Sequence, residues 1–289
     1  MKSLKSLNNS NPNNKDFKQA FYHFLLTCSP ESKFRLAPTP SGFLHIGNAL
    51  NFMLTWKAAR TCGGKVLLRI DDLDADRKRP EYLADIFESL QWLGIDWDEG
   101  PGLHTNRTDL QIVDFEQHWS QHHRIPAYTQ LLEKLLQKDL LFPCNLSRSQ
   151  LAPYNGNYPT EFRNQDLDFN AQGVSWRIKT EGIQMQDFIV RRRDGLPSYQ
   201  IASFSDDLHF GITHIIRGAD LEPSTVAQQF MATKLQEPQF LNIQFIHHPL
   251  MLDENGQKLS KSAGSASLKS MRENGVTSAE IWRLSEAYF

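Results

Sequence analysis

Residues 38–48 read PTPSGFLHIGN, between KFRLA (33–37) and ALNFMLTWKAARTCGG (49–64). The first flank has the length and composition of a short strand. The second carries apolar side chains at helical spacing over 48–62 and runs into Gly63-Gly64, a helix-ending signal. A loop of prolines, glycines and one histidine at a helix start leaves backbone N–H groups pointing outward. Unpaired donors and the helix dipole favour an anion there. His45 can add a donor, and Gly47 permits close backbone approach. A plain strand-to-helix turn with a surface histidine has the same composition, so this stretch alone leaves both readings open.

Outward from it, KVLLRI (65–70) is a continuous apolar run, as in a strand buried on both faces. The acidic loop DDLDAD follows. Pro80 then opens a helix through EYLADIFESLQWLG, which Gly94 closes. Strand–helix–strand–helix predicts parallel strands with right-handed crossovers, hence an α/β fold on a doubly wound parallel sheet. Residues 104–175 break the pattern. They hold one clear helix, AYTQLLEKLLQKDLL (127–141), among Pro-, Asn-, Gly- and Gln-rich stretches, and read as an insertion between two halves of the sheet. Beyond it VSWRIK, DFIV, ITHIIRG and IQFIHHPLML read as strands resuming the alternation. YQIASFSDDL and STVAQQFMATKLQ read as helices, the latter capped by Ser224 or Thr225. The expected organisation is an N-terminal extension (1–32) with a disordered start and one short helix, a first half (33–103), the insertion (104–175), a second half (176–265) and a helical tail (266–289).

Apolar content of 40% and charged content of 22% are those of a soluble globular protein. No run approaches the ~18–20 apolar residues of a membrane span. The start, MKSLKSLNNSNPNNKDF, lacks a secretory apolar core, so a cytoplasmic protein with no membrane partner is expected. Cys28, Cys62 and Cys144 are far apart and form no pair motif, which argues against a disulfide framework. With a net charge of −2, a nucleic-acid partner needs a local basic face. Arg191-Arg192-Arg193 is one candidate, although neighbours on a strand point to opposite faces.

Residues 258–262 read KLSKS on a Gly-flanked loop. Two lysines three apart can set ammonium groups against a phosphate chain; a basic surface loop reads the same. Together the two stretches form a pattern. HIGN and KLSKS resemble the HIGH and KMSKS signatures of class I aminoacyl-tRNA synthetases. RLAPTPSGFLH, LLRIDDLDADR, WLGIDWDEGP and GITHIIRGADL follow in the order of the glutamyl/glutaminyl branch, and the resemblance runs from about 33 to 285. DFIVRRRDGLPSYQIASFSDD followed by IIRGADL is most similar to the short subgroup of glutamyl-queuosine tRNA(Asp) synthetases.

The resemblance implies a Rossmann-like catalytic core with an inserted acceptor-end subdomain. With about 27 residues after the KLSKS loop, no anticodon-binding domain is expected. It implies activation of glutamate: its α-carboxylate attacks the α-phosphate of ATP, giving an acyl-adenylate and pyrophosphate, with Mg2+ accompanying the nucleotide. Transfer to a tRNA-borne acceptor follows, with queuosine of tRNA(Asp) as the specific expectation. Such catalysis is positioning and charge neutralisation. The resemblance assigns catalysis to His45 and Lys261, and ATP binding to Thr39, His45, Gly47, Asn48, Lys258, Ser260 and Lys261. It assigns the amino acid to Arg35, Ala37, Thr39, Asp71, Tyr199 and Arg217. Arg35 with Tyr199 would take the side-chain carboxylate and Arg217 the α-carboxylate, since an arginine fork bonds a carboxylate bidentately.

Three features depart from the pattern. Asn48 replaces the last signature histidine. Asp71 stands where the family has a glutamate for the substrate ammonium, with roughly 1.5 Å less reach. The subgroup's zinc cysteines are reduced to Cys144 with Tyr154, while Leu146 and Tyr158 occupy the other cysteine positions. One thiol and one phenol cannot close a tetrahedral site, so no structural zinc is expected. Two rivals remain: a ligase using another RNA or a small-molecule acceptor, and a catalytically inactive paralogue that binds tRNA or a protein.

Overall fold

The computed structural model describes residues 13–154, 158–164, 166–251 and 267–288. In chain order the elements are α1 (Asn13–Leu25), β1 (Lys33–Leu36), α2 (Ile46–Cys62), β2 (Lys65–Leu68), α3 (Pro80–Leu93), α4 (Thr108–Asp114), α5 (Ile125–Gln137) and β3 (Leu141–Cys144). Then come α6 (Arg148–Leu151), β4 (Ser175–Ile178), β5 (Ile189–Arg191), α7 (Tyr199–His209) and β6 (His214–Gly218). The last are α8 (Glu222–Leu235), α9 (Pro238–Leu241), β7 (Gln244–His248), α10 (Leu268–Glu273) and α11 (Ser278–Ser285). No described helix is long and apolar enough to cross a membrane. The chain divides into two compact units: the described parts of Met1–Ser120, Ile212–Glu222 and Ile243–Phe289, and those of Gln121–Gly211 and Pro223–Asn242.

The first unit is α/β. β1 pairs with β2 in parallel, Lys33 opposite Lys65 through Leu36 opposite Leu68, and β6 pairs with β7 in parallel, His214 opposite Gln244 through Gly218 opposite His248. The two ladders touch at their starts, where Thr213 N–H donates to the Lys33 carbonyl (3.0 Å) and Lys33 N–H to Thr213 Oγ1 (2.8 Å). Helix α2 ends at Gly63, whose φ of 73° favours a residue without Cβ. Helix α3 begins at Pro80 and closes on Gly94, whose N–H reaches the Gln91 carbonyl. The core gathers Phe34, Leu36, Val66 and Leu68 of the strands, Leu50, Met53 and Leu54 of α2, and Ile86, Phe87 and Leu90 of α3. The described part of the N-terminal extension holds the one helix α1, which packs into this core. Phe17, Phe21 and Phe24 of α1 are buried in that core, with Phe17 edge-on to Tyr288 and Phe24 edge-on to Phe34 and His214.

The second unit corrects one strand reading. β4 and β5, expected to resume the parallel alternation, form a three-stranded antiparallel sheet with β3, Cys144 opposite Ser175 and Trp176 opposite Arg191. Apolar runs mark a strand but not its partner. Between β3 and β4 the described chain has only short helical turns, and a parallel pairing would need a full crossover. Helix α8 likewise starts at Glu222 after a 3-10 turn, so Ser224 and Thr225 lie inside it and do not cap it. Asp206 of α7 is fully buried. It accepts from Nε and Nη2 of Arg124 (2.7 and 3.0 Å), from Gln121 Nε2 (2.9 Å) and from the Tyr128 hydroxyl (2.7 Å). This ties α5 to α7.

Candidate active site

The loop leaving β1 is locked to the loop leaving β2. Arg69 N–H donates to the Leu36 carbonyl (2.9 Å) and Asp71 N–H to the Pro38 carbonyl (2.8 Å). Arg35 lies within β1 and is buried, Ala37 follows half-buried, and Thr39 is exposed. The turn then delivers His45 as the N-cap of α2, in extended backbone geometry. Its Nδ1 accepts the Gly47 N–H (3.1 Å), so the neutral ring carries its proton on Nε2. A Cβ at Gly47 would stand 3.0 Å from His45 Cε1 and 3.1 Å from Nδ1, so any larger residue would crowd the ring by a few tenths of an ångström. Asn48 completes the cap from the other side: its Oδ1 accepts the His45 N–H (3.0 Å). The residue that departs from the family signature thus has a local use, as a short acceptor closing a reciprocal cap.

Asp71 is buried and held by Arg69, Nε to Oδ1 at 2.7 Å and Nη2 to Oδ2 at 3.1 Å. Asp72, beside it, accepts from Ser120 Oγ (2.7 Å) and Lys78 Nζ (3.2 Å). Lys78 also bonds both Glu116 oxygens at 2.9 Å and lies over the buried Phe115 ring. Burial alone would lower the Lys78 ammonium, yet Glu116 and Asp72 hold it above its ordinary value. The acidic loop after β2 is therefore pinned by a π-helical turn, Phe115–Trp119, and by Ser120 behind it.

Arg217, near the end of β6, is buried, with its guanidinium 5.3 Å from the Phe245 ring centroid and its residue opposite His247 in the ladder. Burial and then the Arg217 charge push the His247 imidazole below its usual range. His248 is pushed down to about 4 by burial, against the pull of the Pro249 carbonyl, which its Nδ1 meets at 3.0 Å. The described chain stops at Met251, packed in the core, and resumes at Ser267, bridged to His45. Lys258, Ser260 and Lys261 lie outside the described residues. Tyr199 opens α7 in the second unit and is 42% exposed. Arg35, Ala37, Thr39, His45, Gly47, Asn48, Asp71 and Arg217 all belong to the first unit, in its parallel strands or just beyond their carboxyl ends.

The residues at the expected zinc position do not suit the metal. Cys144 is buried at the end of β3, and the Tyr158 hydroxyl donates to its Sγ (3.3 Å). Burial and then Cys144 push the Tyr158 phenol up, which keeps it protonated. Phe142, Cys144 and Tyr158 form an apolar cluster with Leu146, Leu151 and Phe162 packed against it. Among the described residues no three His, Cys, Asp or Glu side chains are grouped as a metal site. The arginine run has mixed surroundings: Arg191 stacks on Trp176, Arg192 pairs with Asp194 at the surface, and the exposed Arg193 bonds the Asn145 and Leu146 carbonyls.

Sequence reasoning passed over Arg69 and the Lys78–Glu116 link. Arg69 had a signal: it lies two residues before Asp71 at a strand end, where i and i+2 share a face. Glu116 had none, since 38 residues separate it from Lys78.

A model of the family described as tRNA synthetases class I (E and Q), catalytic domain, matches residues 32–165 and 163–284. A glutamyl-Q tRNA(Asp) synthetase of Nitratidesulfovibrio vulgaris is 36% identical over 282 residues, covering 86% of this chain and 83% of that protein. Glutamate--tRNA ligase 2 of Acidiphilium cryptum is 34% identical over 276 residues, covering 84% of this chain but 58% of the ligase. The crystal structure of glutamate-tRNA synthetase from Elizabethkingia anophelis shares the fold, with a TM-score of 0.64 at 23% identity over 85% of this chain and 54% of that one. With its parallel-stranded unit and its capped His45 turn, this chain belongs to the class I tRNA synthetases of the glutamyl and glutaminyl type, and is an ATP-dependent ligase.

Proposed function

We propose that the protein activates glutamate with ATP and transfers it to queuosine in tRNA(Asp). We read the two parallel ladders as one doubly wound, Rossmann-like sheet in the order β2-β1-β6-β7, with substrates beyond its carboxyl ends. The subdomain inserted in that core would meet the acceptor. The single observation that carries the reading is the His45 turn, which seats an imidazole on the N-terminus of α2, the positive end of a helix dipole that favours phosphate.

In this reading the triphosphate lies between that turn and the ammonium groups of Lys258 and Lys261, with Thr39 and Ser260 alongside. Mg2+ carried by ATP would supply further neutralisation of the phosphate charge. Arg217 takes the α-carboxylate and orients it for attack on the α-phosphorus. Arg35 takes the side-chain carboxylate. Asp71 serves the ammonium through a bridging water, because its fork with Arg69 and its shorter stem hold it back. His45 and the lysines then neutralise charge as pyrophosphate departs. The relatives named as glutamyl-Q tRNA(Asp) synthetases, each matched over most of its length, support queuosine as the acceptor.

The test uses radiolabelled glutamate with tRNA(Asp) bearing queuosine, the same tRNA without it, and tRNA(Glu). Label is expected on the first alone. Label on tRNA(Glu), or activation of glutamate with no label on queuosine, would reject this acceptor.

A further inference from the structure

Leu44, immediately before His45, is held through both of its backbone polar groups. Its N–H donates to Oδ2 of Asp85 (3.0 Å), and its carbonyl accepts the Leu268 N–H (2.8 Å). Asp85 stands on α3 and is 1% exposed; its Oδ1 accepts from Ser89 Oγ at 3.2 Å. Arg272 of α10 places Nη2 3.8 Å from that Oδ1 and bonds Glu88 at 2.8 Å. Lys269 of the same helix lies over the Phe43 ring, which meets the Tyr82 ring of α3 edge-on at 4.9 Å. Residues 43–45 are thus gripped between α3 and α10.

A carboxylate inside a helix face that packs on the core is costly to bury unless it is bonded. Here the bond goes to a peptide N–H in a turn that has already left β1. Remove the acceptor, and the Leu44 N–H must stay buried without a partner or rotate to find one. Rotation of that peptide carries His45 away from the Gly47 N–H that orients its ring.

We propose that Asp85 is a positioning residue for the ligase reaction, acting on His45 through the Leu44 peptide. What His45 then does rests on the function proposed above; the hold on the turn does not. D85N keeps an acceptor oxygen of the same reach, and D85A removes it. Hydrogen exchange of the peptide spanning 41–48, followed by mass spectrometry, reads the turn directly. ATP–pyrophosphate exchange reads the consequence. D85A is expected to lose protection in that peptide and to drop kcat at least ~10-fold, with KM for glutamate within about 2-fold. D85N is expected to keep the protection and to stay within about 3-fold of wild-type kcat. A folded D85A with native protection and native kcat would overturn the proposal, as would equal losses in D85A and D85N. If D85A does not fold, D85N alone decides: a loss of ~10-fold or more would overturn it. If the wild type exchanges with no amino acid, the function reading fails while hydrogen exchange still decides the role of Asp85.

Discussion

Asp71 stands one methylene short of the family's glutamate, and its carboxylate is shared with a buried arginine. A fork between two groups this sheltered is stable only while both members are present. Truncating Arg69 leaves a buried carboxylate without its cation and should cost about 3–5 kcal/mol in denaturant unfolding. The double variant R69A/D71A should recover part of that loss, and strictly additive losses would show that the fork carries no coupling. The sequence made Asp71 and His45 visible because each falls in a motif. The hydrogen bond from the His45 N–H to Asn48 Oδ1 was not legible there, because a cap is a matter of backbone direction that a four-letter signature does not encode. The same holds for Gly47. A glycine near phosphate reads as room for a ligand, whereas here its Cβ position is crowded by the His45 ring itself.

Among the elements, α1 shows what pattern reading missed. Phe17, Phe21 and Phe24 fall at i, i+4 and i+7, a helical stripe, but a polar Asn- and Ser-rich lead drew attention from it. All three are buried. F21A should therefore destabilise the fold by about 3 kcal/mol or more, as for other buried phenylalanines, measured by urea unfolding. A change under about 0.5 kcal/mol, the level of a surface substitution, would show that α1 does not pack as described. The boundaries of α2 and α3 were readable, since Pro80, Gly63 and Gly94 act through local backbone preference. The partners of β4 and β5 were not, because strand pairing is decided by chain segments far apart. The same limit hid Asp206, whose value lies in three donors from a segment some eighty residues earlier.

At the scale of the whole molecule, buried histidines set how stability responds to acid. His248 is neutral in the fold down to about pH 4, whereas in the unfolded chain it titrates near 6.5. Its contribution is complete above pH 6.5 and is lost as pH falls toward 4, because the unfolded chain takes up the proton first. The gap corresponds to about 3 kcal/mol at most. His214 and His247, also lowered by burial, add in the same direction. Urea midpoints at pH 7, 5 and 4 should fall more steeply for the wild type than for H248Q, and parallel curves would contradict the assignment.

The proposed function gives the capped histidine turn and the KLSKS stretch one task, the activation of an amino acid. ATP–pyrophosphate exchange, run with each standard amino acid in the presence and absence of tRNA, measures that step itself. Exchange with glutamate well above every other amino acid is the predicted result, abolished by H45A or K261A. Folded protein that exchanges with none of them under either condition would contradict it.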